Sequence, residues 1–429
     1  MTAPLRLALD GGPPCLATTP VAQWPAVEPG HDLIAALGSG PADGIIPGSA
    51  QLVRRLERRW SDLVGRSYVI ACRSSAAAAR LSAMSLELGA GDEIVCPVDA
   101  TAAAHAMASA TEALPVFVDL DPQTLSIDPV AVEAAVTDAT RAVLAVDNHG
   151  APADHGALAN VARRHGLLVV EDGSESVGAT YDHQPVGSLG LAGFCGLGHP
   201  GPPAGPLGGA FFATDDPEVA DNARRVLLVS DDLGLPVTGS PLGTGWGYRI
   251  TEIDAMVADS YLNRLDYEVM VRAANGRHLC RRLQDVAGIW MPATPAAATT
   301  VHTSIPLLVQ PDELGLPETA ATALRDTLID CTTAEGLWCD RSQPLAMAST
   351  AAVGSSMLGR HWLVPRRAEF PVADAMWASG LVLGGRRGGF DPLQSLATMD
   401  RIADCFTKIL VDNVDRLRQL TIERMRVTP

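Results

Sequence analysis

The chain has 429 residues, 47% of them apolar, which is enough to bury a substantial core and more than one minimal domain needs. Its formal net charge of −17 argues against a nucleic-acid or anionic-membrane partner. No apolar run reaches the roughly 18 residues of a membrane span, and no basic stretch leads into an apolar one at the start, so a soluble, cytoplasmic protein is expected.

Residues 1–45 are rich in Pro and Gly and read as an N-terminal arm with a short helix. Helical spacing of apolar residues begins within Ser49–Trp60. A strand (Ser67–Cys72), a turn (Arg73-Ser74-Ser75) and an Ala-rich helix to Leu88 follow. Apolar strand candidates then recur at Glu93–Cys96, Pro115–Asp119, Ala142–Val146, Leu167–Glu171 and Gly209–Ala213. Helical segments such as Pro129–Thr137 and Gly156–His165 fall between them. Short apolar runs separated by helices predict an α/β fold with a mostly parallel sheet covered on both faces, over residues 46–250. From residue 251 to 429 the pattern changes to a long linking helix (Thr251–Arg281) and a smaller α+β C-terminal domain. That domain takes weaker strands near Val301–Val309 and helices at Glu318–Glu335 and Leu393–Val427. The eight cysteines form no CxxC pair and suggest buried free thiols rather than a metal knuckle or a disulfide framework.

Ligands of such sheets bind at the carboxyl ends of the strands. Asp99, Asp147, His149, Asp172 and Glu175 each closely follow a strand, which places them near one crevice.

Four motifs in order carry a resemblance. They are Leu88-Gly-Ala-Gly-Asp-Glu-Ile-Val-Cys-Pro97, Pro115-Val-Phe-Val-Asp-Leu-Asp-Pro122, Glu171–Tyr181 followed by Val186–Gly190, and Tyr248-Arg-Ile-Thr-Glu-Ile-Asp-Ala255. Together they resemble the DegT/DnrJ/EryC1/StrS family, the sugar aminotransferases and their dehydratase relatives. The resemblance spans roughly residues 30–425. It implies the aminotransferase fold type I, a homodimer whose active sites use both chains, and pyridoxal phosphate (PLP) bound to a lysine.

The residues at the implied cofactor contacts depart from that pattern. The chain has one lysine, Lys408, which reads as a solvated surface residue on the C-terminal helix. Ungapped counting puts Gly201 at the Schiff-base lysine and Gly196 at a phosphate-binding serine. The phosphate turn reads Ser74-Ser75-Ala76, Thr101 stands where an aromatic ring would stack, and Gly247 replaces an asparagine. Asp172 matches the aspartate that pairs with the pyridinium nitrogen, whereas Glu175 replaces a glutamine and Asp147 a histidine. The pocket thus loses ring and phosphate contacts and gains carboxylates, which disfavours a dianionic cofactor.

The expected activity is therefore PLP-independent acid/base chemistry (cyclisation, dehydration, epimerisation or condensation) on a small polar or amino substrate in antibiotic or deoxysugar biosynthesis. Its expected catalytic groups are Asp147, His149, Asp172, Glu175 and His199. Ser74, Ser75, Asp99, Thr101, Tyr248 and Arg249 are the expected substrate contacts, with no cofactor and no metal. Two alternatives stand beside it: a non-catalytic pseudoenzyme that partners a biosynthetic protein, and a PLP-dependent sugar aminotransferase or dehydratase.

Overall fold

The computed structural model describes residues 6–17, 51–197, 208–227, 247–342, 370–384 and 394–427. His199 and Gly201 lie outside the described residues.

Seven strands form the larger sheet: β1 (Tyr68–Cys72), β2 (Glu93–Pro97), β3 (Leu114–Val118), β4 (Thr140–Val146), β5 (Leu168–Asp172), β8 (Ala192–Leu197) and β9 (Gly209–Thr214), with a small hairpin, β6 (Thr180–Tyr181) and β7 (Gln184–Pro185), between β5 and β8. Their order is β1-β9-β8-β5-β4-β2-β3. The run from β3 to β8 is parallel, and β9 pairs antiparallel with both β8 and β1. Strands buried on both faces read as continuous apolar runs, and β8 and β9 are buried at every position.

Helices α1 (Gln51–Val64), α2 (Ser75–Ser85), α3 (Thr101–Thr111), α4 (Pro129–Ala135), α5 (His155–His165) and α6 (Pro217–Leu227) belong to this part of the chain. Helix α1 buries Val53, Leu56, Trp60 and Val64, one stripe at helical spacing, and Trp60 stacks on Phe211 with ring centroids 4.0 Å apart. Helix α5 is bounded by local chemistry. Asp154 caps its first turn by accepting from Ala157 N–H, and Gly166 takes a left-handed φ of 67° at its end. Arg163, Arg164 and His165 lie in its last turn, where the helix dipole favours positive charge.

The expected long helix over 251–281 is two helices, α7 (Glu252–Leu262) and α8 (Leu265–Leu283). Asn263, a weak helix former, and Arg264 separate them, and Arg264 lies over the Tyr261 ring. A four-stranded antiparallel sheet follows, in the order β10 (Ile289–Trp290), β11 (Ser304–Val309), β13 (Gly380–Gly384), β12 (Asp340–Arg341). Helices α9 (Ala321–Ala334), α10 (Pro371–Ser379), α11 (Leu396–Thr407) and α12 (Val414–Val427) pack around it. Asp119, just past β3, accepts from Val372 N–H (2.9 Å) and Ala373 N–H (3.0 Å), so one sheet's loop caps a helix of the other.

Lys408 departs from its expected surface position. It is 3% exposed and opens a π-helical turn, Lys408–Asp412, between α11 and α12. Its Nζ donates to Glu335 Oε2 and to Pro13 O, both at 2.8 Å. Glu335 is 0% exposed and also accepts from the N–H groups of Ala8 (2.8 Å) and Cys15 (3.0 Å). A carboxylate buried this deeply needs a partner of opposite charge, and the chain's one lysine supplies it. The pair ties the segment 6–17 to the smaller sheet's core, into which Leu7 and Leu16 also pack. Among the described residues, no helix is long and apolar enough to cross a membrane.

Candidate active site

The parallel strands end along one edge, and the loops leaving them carry the candidate side chains. Strand β5 closes at Asp172, and Asp147 N–H, just past β4, donates to Asp172 O at 3.0 Å. Asp172 Oδ1 accepts from Ser174 N–H (3.1 Å) and from the Ser174 hydroxyl. Ser174 Oγ accepts in turn from Gly196 N–H at 2.9 Å, which links this loop to β8. Burial pushes the Asp172 carboxyl up to about 7; the Ser174 bonds oppose the rise, and Asp147 and Glu175 add to it.

Asp99, past β2, accepts from Asn148 Nδ2 at 2.8 Å, and its other oxygen is buried without a hydrogen-bond partner. Burial pushes this carboxyl up to about 7 as well, with Glu175 contributing. Glu175 Oε2 accepts from His149 N–H at 3.1 Å. The His149 ring turns toward the smaller sheet, with Nδ1 2.7 Å from Ser304 Oγ. Burial holds its pKa below the ordinary histidine value, opposed by Glu175. Asp99, His149, Asp172 and Glu175 thus form one electrostatic group.

Asp147 leaves that open group. It is 0% exposed, and its Oδ1 accepts from Ala153 N–H (2.9 Å) and pairs with His155 Nε2 (2.8 Å). Burial opposes charge on His155, but Asp147 outweighs it and raises the histidine above its ordinary value. Glu171 lies nearby, held by the N–H groups of Gly187 (2.6 Å) and Leu189 (2.7 Å), and burial followed by Asp147 pushes it up to about 7. Asp147, His155 and Glu171 each offer an atom within 4.8 Å of the others, close enough to hold a metal ion. A cation there would have to displace the His155–Asp147 hydrogen bond.

Ser74, Ser75, Tyr248 and Arg249 lie at the end of β1, with β9 and β8 between that strand and β5, whereas Thr101 follows β2. Ser74 caps α2 by accepting from Ala77 N–H at 3.2 Å, and Ser75 is the first helical residue. Tyr248 is buried and its carbonyl accepts from Arg73 N–H at 2.6 Å, while Arg249 forms an antiparallel bridge to Cys72. Thr101 opens α3. Gly196 lies in β8, and Gly247 has a φ of 62°.

Ser174 and His155 escape the sequence reading. The Asp172-x-Ser174 spacing at a strand end is a side-chain-to-backbone turn signal that could have marked Ser174. His155 carries no comparable signal, because its partner Asp147 meets it only once β4 and α5 have packed.

A model of the DegT/DnrJ/EryC1/StrS aminotransferase family matches residues 44–374. L-glutamine:2-deoxy-scyllo-inosose aminotransferase of Streptomyces fradiae is 34% identical over 311 residues, covering 68% of this chain and 72% of that protein. The crystal structure of S. venezuelae DesV in complex with a ketimine intermediate superposes with a TM-score of 0.73 at 24% identity, over 88% of this chain and 93% of that one. E. coli GDP-4-keto-6-deoxy-D-mannose-3-dehydratase with bound hydrated PLP gives a TM-score of 0.74 at 19% identity, over 91% and 98% of the two chains. The fold is that of the type I aminotransferases, and the chain belongs to the DegT/DnrJ/EryC1/StrS aminotransferase family.

Proposed function

We propose that this chain is an enzyme of antibiotic or deoxysugar biosynthesis that acts on a small polyhydroxylated or amino substrate by acid/base catalysis, without a PLP Schiff base. The observation that carries the reading is Lys408. It is the one amine-bearing side chain available for a Schiff base, and it is buried against Glu335 and Pro13 O in the smaller sheet's core. The donor set at the strand ends also suits PLP poorly. Asp99 and Glu175 add carboxyl groups, beyond Asp172, beside a cofactor that is itself an anion.

Asp99 and Asp172, both raised to about 7, exchange protons readily at neutral pH, so one can donate while the other accepts. Asn148 fixes the Asp99 carboxyl, Ser174 fixes that of Asp172, and Glu175 raises both. Glutamine-dependent inosose amination in the S. fradiae relative suggests a cyclitol or sugar ring as the substrate.

A second reading, PLP held without a covalent bond, draws support from the solved relative that carries hydrated PLP and from Asp172 at the pyridinium-pairing position. Purified protein mixed with PLP and dialysed separates the two by its absorbance. The first reading expects no cofactor absorbance retained between roughly 300 and 430 nm, the span of hydrated and aldehyde PLP, and a band that persists supports the second. With no band, Asp172→Asn and Glu175→Gln should each lower turnover steeply; unchanged turnover in a folded variant would leave a non-catalytic partner.

A further inference from the structure

Cys15 departs from the buried thiols expected of this chain. It is half-buried in the segment 6–17, whereas Cys405, on α11, is 0% exposed. Nearly the whole chain separates them in sequence, yet their thiols hydrogen-bond to each other. The Lys408–Glu335 pair holds both backbones in place. Glu335 accepts from Cys15 N–H (3.0 Å) through its carboxylate and from Leu16 N–H (3.0 Å) through its carbonyl. Lys408 lies about one helical turn beyond Cys405, with its N–H bonded to the carbonyls of Asp404 and Cys405. Its Nζ reaches back to Pro13 O at 2.8 Å. Two sulfurs in hydrogen-bond contact need only a short approach to reach the ~2.05 Å of a disulfide.

The two thiols are not equivalent. The Cys405 hydrogen bond holds Cys15 below the ordinary thiol value; Lys408 helps, while burial and Glu335 oppose. Cys405 is raised in return. Burial pushes up the other six thiols, including that of half-buried Cys280, which rises to about 11. Cys15 therefore combines solvent access with thiolate character, the two properties that make a thiol reactive toward oxidants. Behind it stands a buried thiol, placed as a resolving cysteine would be.

We propose that Cys15 and Cys405 form a reversible redox pair, in which a hydroperoxide oxidises Cys15 and Cys405 then closes a disulfide onto it. With hydrogen peroxide, the Cys15 thiolate attacks one oxygen and the O–O bond breaks. Cys15 becomes a sulfenic acid, and the departing hydroxide takes up a proton to leave as water. The Cys405 thiol then gives up its proton and attacks the Cys15 sulfur. The S–O bond breaks, and its oxygen leaves with that proton as a second water. The peroxide is reduced, the thiol pair is oxidised by two electrons, and the segment 6–17 is joined covalently to α11. A dithiol reverses the step by exchange. No strand-end carboxyl takes part, so the inference stands apart from the acid/base reading.

The test uses the full chain, reduced with dithiothreitol, desalted and treated with a few equivalents of hydrogen peroxide. Its thiols are then blocked in denaturant and mapped by mass spectrometry. The expected product is a Cys15–Cys405 linked peptide, with two of the eight thiols lost and both restored by dithiothreitol. In Cys405→Ala, dimedone should trap Cys15 as the sulfenic acid. In Cys15→Ser, the same dose should leave Cys405 a thiol. Before oxidation, iodoacetamide should label Cys15 at least about tenfold faster than Cys280 near neutral pH. Circular dichroism checks that each variant folds, and Cys15→Ser, a change at a half-buried position, decides the question if Cys405→Ala does not. The proposal is overturned if no linked peptide forms, if Cys15 links to Cys339 or Cys280 instead, if Cys280 labels as fast as Cys15, or if Cys405 is oxidised in Cys15→Ser.

Discussion

Glu335 on one side and Asp99 and Asp172 on the other are desolvated carboxylates with opposite outcomes. Glu335 has a lysine and two backbone N–H groups around it, and it fastens the N-terminal segment to the smaller sheet. Asp99 and Asp172 have hydrogen bonds but, among the described residues, no cation bonded to them, and burial lifts both to about 7. A cation turns a buried acid into a structural joint, whereas its absence leaves a proton that moves near neutral pH. The chain's one lysine sits at the joint, not at the strand ends.

The sharpest way to break that contrast is to remove the cation. Lys408→Met leaves Glu335 buried and unpaired and should cost roughly 3–5 kcal/mol of stability. Chemical denaturation measures the loss, and a loss below about 1 kcal/mol would mean that the joint is not what it looks to be. At the other site the large effect should fall on turnover rather than folding. Asp172→Asn should lower the rate by about 10²–10⁴, the usual range for removing a general acid or base, with the melting temperature kept or raised.

A pH series sharpens the comparison further. The folded-state values of Asp99 and Asp172 lie near 7, above the roughly 4 of an unfolded aspartate. Between these values the folded chain keeps protons that the unfolded chain has lost. The stabilising contribution of each group is therefore complete below about pH 4 and disappears as pH rises through about 7. The limiting slope is about 1.4 kcal/mol per pH unit for each group. Asp99→Asn should flatten the decline measured by denaturation at successive pH values, and an unchanged slope would contradict the raised value. The smallest expected effect belongs to Ser174→Ala. It removes the hydroxyl hydrogen bond that favours the charged Asp172 and keeps the backbone one, so any acid limb of the activity profile governed by Asp172 should move to higher pH, with a stability loss of about 1 kcal/mol.

Much of the architecture is legible in the sequence because parallel strands buried on both faces leave unbroken apolar runs such as Ala142–Val146. Strand β8 is less visible, since its Gly193, Cys195 and Gly196 dilute the apolar signal. Helix α3 is Ala-rich and offers no amphipathic stripe. Asp99, Asp172 and Glu175 could be found from their positions after strands, a rule that depends only on local order. Lys408 could not be placed in that way: its partners Glu335 and Pro13 lie 73 and 395 residues away in sequence. Asp147 illustrates the same limit, because its distance from a strand end says nothing about the histidine that α5 brings onto it.

The most direct test is to incubate the native protein with PLP, reduce it with borohydride and map the modified peptide by mass spectrometry. Reduction fixes any Schiff base as a stable secondary amine. The account predicts no adduct on Lys408 and no loss of turnover after the treatment. A stoichiometric adduct on Lys408, formed while the protein is folded, would contradict it.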